Sequence, residues 1–274
     1  ATDLKATEGV VFQRAHVQCD VVGYVETKQK PPYAVSHVGW WPDPILDFLG
    51  PVEIATGDVQ AFWIRVRAPK DQPPGVYRGT LTVKAEGESP VNLGLRIRVH
   101  AFTLPDHTPL PVAITFSPED FPTDSTQQAQ AEWRKSGDYP INAWKHHKLR
   151  WADFLADYYI NSDSLYRHGP PDFEVIERLR DRGQLTAFNL GIFDAVSRDA
   201  AAASNTLAGL RTAYDQAKAL GVLDRAYIYG FDECKPEMFP LLEKTAQTLR
   251  QEFPGVLLMT TSYDHSYGMD TVAK

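Results

Sequence analysis

Two adjacent carboxylates, Asp232 and Glu233, are the side chains of this 274-residue chain whose types and spacing best fit chemistry. They follow a short apolar and aromatic run at residues 226–231, and a helical pattern begins at Pro240. In a βα barrel the loops after the strands carry the active site. Two acids at such a position predict general acid and base work on a polar, uncharged substrate such as a sugar.

The same two acids also fit the start of a helix. An aspartate before a helix caps its first amides, and a glutamate in the first turn interacts favourably with the helix dipole. With Pro236 shortly after them, Asp232 would be the cap and Glu233 the dipole partner. The surrounding elements must therefore decide between catalysis and capping.

The second part of the chain alternates between strand and helix patterns. Helices begin near Pro170, Asn205 and Pro240, and Gly183 and Gly221 are predicted to end the first two. The predicted strands lie at residues 112–116, 156–160, 185–193, 226–231 and 256–261. This alternation predicts βα units around a parallel sheet.

Polar or aromatic side chains gather where these strands end. Ordinary turn chemistry explains any one of them, but repetition after successive strands is typical of a barrel rim. The side chains concerned are Asn161, Asp163, Asn189, Asp194, Tyr229, Asp232, Glu233, Thr261, Tyr263 and Asp264. A complete barrel has about eight strands, and about five are found here. The chain is therefore a fragment, the sheet is open, or another chain completes it.

The first part of the chain has a different period. Apolar and polar residues alternate strictly over residues 62–67, 77–84 and 93–100, with Pro- and Gly-rich breaks at 69–75 and 86–90. Antiparallel strands at this spacing predict a β-sandwich. A proline-rich connector at 101–111 marks a boundary. We predict a β-sandwich domain over residues 1–104 and a partial TIM-type βα barrel over 105–274.

Composition excludes several classes of function. The net charge is −7 and there is no block of Lys and Arg, so a nucleic-acid partner is not expected. No apolar run is long enough to insert into a membrane. Cys19 and Cys234 define no disulfide framework, and the adjacent His146 and His147 are a poor metal motif. No metal or cofactor is predicted, and a homo-oligomer is left open. Without an initiator Met, the chain is a processed protein or a piece of a longer one.

Three N-terminal segments resemble the β-sandwich of glycoside hydrolase family 123. They read Cys-Asp-Val-Val-Gly-Tyr-Val at 19–25, Gly-Trp-Trp-Pro-Asp-Pro-Ile-Leu at 39–46 and Pro-Gly-Val-Tyr-Arg-Gly-Thr at 74–80. Asp232 and Glu233, after Tyr227-Ile228-Tyr229, resemble the catalytic strand of that family. The resemblance implies a retaining β-N-acetylgalactosaminidase whose nucleophile is the acetamido group of the substrate. It also suggests a bacterial envelope or secreted location, and a glycan with a terminal N-acetylhexosamine as partner.

The resemblance also implies roles for the individual residues. Glu233 would be the general acid and base, and Asp232 would orient the acetamido group and stabilise the oxazolinium intermediate. Tyr229, Asn161, Asp163, Asn189 and Tyr263 would bind the substrate. Successive strand residues face opposite ways, so a bend is needed to bring both acids together. Gly230 is placed to allow it, although a glycine in a strand can also reflect close packing alone.

The chain departs from the family pattern at two points. Cys234 stands where the family often has proline directly after the acids, and the part that completes the barrel is not seen. Two other functions stay open. One is a noncatalytic carbohydrate-binding or scaffold protein, and the other is a glycosidase with a conventional carboxylate nucleophile on a later strand.

Overall fold

The computed structural model describes residues 1–116, 141–167, 169–193 and 200–261, with the backbone alone for 141–147 and 200–202. The chain divides into two compact units, Ala1–Leu104 and Pro105–Lys274. The described part of the chain contains no helix with the length and apolar character needed to span a bilayer.

The first unit consists of antiparallel strands. They form a four-stranded sheet in the order β2-β1-β6-β7 and a three-stranded sheet in the order β4-β3-β5. The strands are β1 Leu4–Lys5, β2 Val11–Phe12, β3 Val17–Glu26, β4 Trp40–Leu46, β5 Phe62–Val66, β6 Gly75–Val83 and β7 Val91–Val99. Strands are confirmed where the sequence period is two, while the face-to-face sandwich stays a prediction.

A small core anchors the four-stranded sheet. Leu4, Phe12 and Tyr77 are each 0% exposed, and the hydroxyl of Tyr77 donates to the carbonyl of Pro73 at 2.6 Å. This bond ties β6 to the proline-rich turn before it. Burial of an aromatic ring with its hydroxyl satisfied is the favourable arrangement for tyrosine.

The second unit contains parallel strands and helices. Its strands are β8 Ala113–Thr115, β9 Asn161–Asp163, β10 Phe188–Ile192, β11 Ala226–Tyr229 and β12 Leu257–Met259. Its helices are α1 Ile141–Ala156, α2 Phe173–Asp181, α3 Ala200–Ala219 and α4 Phe239–Glu252. Parallel pairing joins β8 to β9, and separately joins β10, β11 and β12 with β11 in the centre. Parallel βα units are thus confirmed, and a barrel stays a prediction.

The helix boundaries follow local sequence signals where those signals are present. Asp172 caps α2 by accepting from the amide of Val175 at 3.3 Å. Gly183 and Gly221, both with φ of 69°, end α2 and α3. In each case two amides after the helix return to carbonyls of its last turn, as in a Schellman motif. The helix start near Pro170 and the stops at Gly183 and Gly221 are confirmed, whereas α3 begins at Ala200 and not near Asn205 as predicted.

The strand predicted at residues 156–160 is wrong. Helix α1 ends at Ala156, and the next strand begins only at Asn161. The amides of Tyr159 and Ile160 donate to the carbonyls of Ala156 and Leu155 at 2.9 and 3.0 Å, which is again a Schellman motif. The left-handed residue is Tyr159, with φ of 64°, rather than a glycine. The usual stop signal is therefore missing from the sequence.

One apolar core holds the central strand β11 in place. Ile228 is 0% exposed and belongs to the same buried cluster as residues of α2, α3, α4 and β10. Representative members are Leu179, Phe193, Ala217, Leu249 and Phe253. Full burial of each large apolar side chain stabilises the fold by about 1.5–3 kcal/mol. The end of β11 is therefore held in place by this packed core.

Candidate active site

The two acids follow the central strand of the parallel sheet. Pairing with both neighbours continues past Tyr229, since the amide of Phe193 donates to the carbonyl of Tyr229 at 3.1 Å and the amide of Gly230 donates to that of Met259 at 3.1 Å. Asp232 and Glu233 come directly afterwards, and both side chains are exposed. They lie at the carboxyl end of β11, where parallel sheets place ligands.

The backbone around the acids is bent at two non-glycine residues. Phe231 and Glu233 have φ of 54° and 47°, in the left-handed region. Such a residue costs about 1–3 kcal/mol, and strain of this kind is common at functional sites. The turn interrupts the strict alternation of strand side chains at the point where the acids lie.

The prediction that Gly230 provides this bend is wrong. The bend lies on either side of Asp232, and Gly230 is not among the glycines with positive φ. Glycine is required there for a different reason, because a Cβ atom would lie 2.8 Å from the ring of Phe193. The ring of Phe193 packs against Phe231 at 5.6 Å between centroids, so little room is available.

The helix-capping interpretation of the two acids is also wrong. The helical turn Pro236–Met238 begins after Lys235, and α4 begins after Met238. Neither start has a side-chain cap, and neither start includes Asp232 or Glu233. The two carboxylates therefore do not cap a helix.

Three hydroxyl groups donate to the carboxylate of Asp232. Tyr229 and Thr261 both donate to Oδ1, the latter at 2.9 Å, and Tyr166 donates to Oδ2 at 3.2 Å. These bonds, that of Tyr229 first, hold the pKa of the Asp232 carboxyl below its ordinary value of 3.8. Asp232 is therefore ionised at neutral pH and fixed in position.

Tyr229 is a buried support for Asp232. It is 0% exposed, and burial first, then the bond to Asp232, raises the pKa of Tyr229 to about 12. Its hydroxyl therefore keeps its proton at neutral pH and remains a donor. The prediction that Tyr229 contacts the substrate directly is revised, because a fully buried ring positions the acid instead.

Tyr166 connects Asp232 to a cavity of about 310 Å³. Its ring is 49% exposed, and the bond to Asp232 raises the pKa of its hydroxyl, with a smaller contribution from the charge of Glu233. Both carboxylates thus act on one hydroxyl group. Phe116, Arg167, Pro170 and Phe188 are among the residues that line the cavity, whereas the two acids are not.

Sequence patterns did not predict Tyr166 as a site residue, and they placed Thr261 among the polar residues at the strand ends without giving it a role. Tyr166 follows β9, and no spacing rule shows that the loop after β9 reaches the end of β11. Thr261 follows β12, and its role depends on which side of the turn its hydroxyl occupies. Both contacts are tertiary, so local patterns carry no signal for them.

The amides and carboxylate predicted to bind substrate at strand ends lie within β9 and β10 and are buried. Asn161, Asp163 and Asn189 are 2%, 5% and 0% exposed. Asn161 Oδ1 accepts from the amides of Thr186 and Ala187 at 2.6 and 3.2 Å, and its Nδ2 donates to the carbonyl of Gln184 at 3.0 Å. Both polar atoms of this side chain are therefore engaged by the protein.

Asp163 and Asn189 have partners of the same kind. Asp163 pairs with Arg167 at 3.0 Å and accepts from the amide of Asn189 at 2.9 Å and the hydroxyl of Tyr227 at 2.7 Å. Asn189 Nδ2 donates to the carbonyls of Ser164 and Leu165 at 2.9 and 2.8 Å. Among the described residues no backbone ladder joins β9 to β10, so these side chains connect the two strands.

We therefore correct the predicted role of Asn161, Asp163 and Asn189, because their buried polar atoms connect β9 to β10. The predicted substrate residue Tyr263 lies outside the described residues, as do Asp194 and Asp264. Within the part of the chain that the structure describes, no group of three or more His, Cys, Asp and Glu side chains could hold a metal ion.

The N-terminal part of the chain is similar to a known enzyme family. The family model described as the glycoside hydrolase 123 N-terminal domain matches residues 1–85. The predicted resemblance to glycoside hydrolase family 123 is thus confirmed. No curated protein matches the chain.

The fold is similar to that of a family 123 glycoside hydrolase from Clostridium perfringens, whose structure was described in terms of glycolipid glycan hydrolysis. The TM-score is 0.67 at 11% sequence identity, and the match covers 98% of this chain and 55% of that one. The chain thus spans about half the length of this solved structure. At such low identity the likeness concerns the fold alone.

Cys234 is the position after the acids where family 123 often has proline. Its amide donates to the carbonyl of Thr261 at 3.1 Å, and its side chain is 7% exposed. Proline has no amide hydrogen and could not make this bond. The cysteine therefore gives this chain an additional link between the end of the acid turn and the segment after β12.

Proposed function

We propose that this chain is a glycoside hydrolase that acts on glycans with a terminal β-linked N-acetylgalactosamine. Residues 105–274 form its catalytic βα domain and residues 1–104 an accessory β-sandwich. The reaction retains the anomeric configuration, because the acetamido oxygen of the substrate is the nucleophile. Family 123 likeness supports the reaction class, and the geometry after β11 supports the assignment of residues.

The hydroxyl-held carboxylate of Asp232 is the observation that carries this proposal. A carboxylate offers about four lone-pair sites, and three of them accept from Tyr229, Thr261 and Tyr166. The remaining site is on Oδ2 and can accept the N–H of the acetamido group. An ionised, exposed Asp232 then orients that group and balances the positive charge of an oxazolinium ion.

Glu233 is the general acid and base of the proposed mechanism. It protonates the glycosidic oxygen as the acetamido oxygen attacks the anomeric carbon and the leaving group departs. Its carboxylate then takes a proton from the water that opens the oxazolinium ring. Glu233 is exposed and directly follows Asp232 at the end of β11, which supports a role for both acids at one substrate.

The size and lining of the cavity beside Tyr166 support the proposal that it binds a sugar-sized ligand. Its volume of about 310 Å³ lies at the lower end of the range of about 300–1,000 Å³ for ligand sites. It is lined by aromatic rings and polar side chains, a composition that suits the apolar faces and hydroxyls of a sugar. We propose that part of the glycan occupies it while the acetamido group faces Asp232.

The test combines a turnover assay with a binding assay. We expect the protein to hydrolyse 4-nitrophenyl N-acetyl-β-galactosaminide faster than 4-nitrophenyl N-acetyl-β-glucosaminide. A thiazoline mimic of the cyclised intermediate should inhibit competitively. Turnover without thiazoline inhibition would indicate a conventional carboxylate nucleophile instead.

Binding of N-acetylhexosamines measured by calorimetry separates the remaining alternative. Binding without turnover would support a noncatalytic carbohydrate-binding protein, and it would contradict the proposed hydrolase. The absence of both would contradict the proposed ligand class as well.

A further inference from the structure

The hydroxyl of Thr261 contacts both acids of the proposed active site. It donates to Asp232 Oδ1 at 2.9 Å and accepts from the amide of Glu233 at 2.9 Å. A hydroxyl has one hydrogen and two lone pairs, so these two bonds use it in both directions. It also lies 3.0 Å from the hydroxyl of Tyr229, which donates to the same Asp232 oxygen.

The backbone of Thr261 holds the next residue of the same turn. Its carbonyl accepts from the amide of Cys234 at 3.1 Å. Thr261 therefore binds to three consecutive residues, 232–234. These residues include Glu233, which lies in the left-handed region with φ of 47°. A strained turn of this kind persists only where its surroundings fix it.

Thr260 makes a bond of a different kind in the same turn. Its hydroxyl donates to the carbonyl of Phe231 at 2.9 Å. This bond stabilises the backbone before the acids, and no described hydrogen bond of Thr260 reaches a carboxylate. The two hydroxyl groups thus differ in their acceptors, since that of Thr260 donates to the main chain and that of Thr261 donates to the Asp232 carboxylate.

We propose that Thr261 is a positioning residue that fixes Asp232 and Glu233 relative to each other through a single hydroxyl group. The inference rests on the proposed function and deepens it. It acts through the two acids and needs no contact with the substrate. Because the side chain of Thr261 is exposed, its replacement should leave the folded core intact.

The test compares Thr261→Val with Thr261→Ser and Thr260→Val. Valine has the shape of threonine without the hydroxyl, and serine keeps the hydroxyl. For Thr261→Val we expect kcat to fall by about 10- to 100-fold, the size typical of one lost hydrogen bond to a charged group. KM should change less, because the sugar contacts remain. Thr261→Ser and Thr260→Val should retain most of the wild-type kcat.

A second readout does not depend on turnover. The pKa of the Asp232 carboxyl, followed by ¹³C NMR and assigned with Asp232→Asn, should rise toward its ordinary value in Thr261→Val. It should stay low in Thr261→Ser and Thr260→Val. Thr261→Ala serves as a second variant without the hydroxyl, should the valine variant fail to fold.

Each outcome decides the inference. An unchanged Asp232 pKa in both Thr261→Val and Thr261→Ala would overturn it, and so would equal losses of kcat in Thr261→Val and Thr260→Val. An inactive wild-type protein whose Asp232 pKa still rises in Thr261→Val would overturn the proposed function alone. The placement of Asp232 by Thr261 would then stand.

Discussion

Strands β9 and β10 and the end of β11 carry similar residues in opposite environments. Asn161 and Asp163 in β9 and Asn189 in β10 are buried and bound mostly to backbone groups. After β11, Asp232 and Glu233 are exposed, and Asp232 accepts only from hydroxyl groups among the described residues. The first set replaces a missing backbone ladder between β9 and β10, whereas Asp232 keeps an acceptor site on Oδ2 that no described hydrogen bond uses.

The difference shows what a polar residue at a strand end can and cannot indicate. A buried amide or carboxylate whose lone pairs are used by backbone amides stabilises the fold, since an unpaired amide would be costly there. An exposed carboxylate held by side-chain hydroxyls keeps acceptor capacity for a substrate. The two regions should therefore respond to mutation in opposite ways, with loss of stability in one and loss of activity in the other.

Asp163→Ala should produce the largest loss of stability. It leaves the charge of Arg167, whose side chain is 16% exposed, without its partner, and it removes the acceptor of the Asn189 amide. We expect the free energy of unfolding in urea to fall by about 3–5 kcal/mol, as for a broken buried pair. Asp224→Ala, which removes an exposed pair with Arg225, is the control and should cost less than about 1 kcal/mol. If both variants lost the same free energy of unfolding, the structural role of the buried Asp163 would be contradicted.

Asn161→Leu tests the connection between β9 and β10 without a charge. The amides of Thr186 and Ala187 lose their acceptor in a buried site. We expect a loss of at least about 2 kcal/mol in the free energy of unfolding, since each unsatisfied buried group costs about 1–3 kcal/mol. The exposed Asn92, which accepts from Thr82, provides the control variant Asn92→Ala. A stable Asn161→Leu would reopen a substrate role for this side chain.

Gly230→Ala should have an intermediate effect. The added Cβ would lie 2.8 Å from the ring of Phe193, so the ring must move. Overpacking of this kind costs about 1–3 kcal/mol, read from the urea midpoint. Gly94→Ala in β7 is the matched control, because a Cβ added there would meet nothing within 4 Å. If the two variants were equally stable, close packing would not explain Gly230.

Asp232→Asn should have the smallest effect on stability. The hydroxyl partners of Asp232 lower the pKa of its carboxyl, so the ionised carboxyl stabilises the folded state at any pH above its ordinary pKa of 3.8. This stabilisation is lost as the pH falls through the lowered pKa. The urea midpoints of wild type and variant should therefore converge at a pH below the lowered pKa. A gap that persisted or widened in acid would mean that another group is responsible.

Sequence patterns predicted the elements better than the contacts between them. The helix start near Pro170, the stop at Gly183 and the acid pair after β11 all depend on residues next to each other, so local rules suffice. Helix α1 was not predicted, and its end was mistaken for a strand because Tyr159 occupies the left-handed position where a glycine usually marks a helix end. The roles of Tyr166 and Thr261 depend on tertiary contacts, which spacing does not contain.

The most direct test of the account is the dependence of turnover on the leaving group. On N-acetyl-β-galactosaminides, Glu233→Gln should lose most activity when the leaving group is a poor one and retain more when it is 4-nitrophenol, because a good leaving group needs no acid. Asp232→Asn should lose activity on both. Equal losses by Glu233→Gln on both substrates, or near-normal turnover by Asp232→Asn, would contradict substrate-assisted catalysis by this pair.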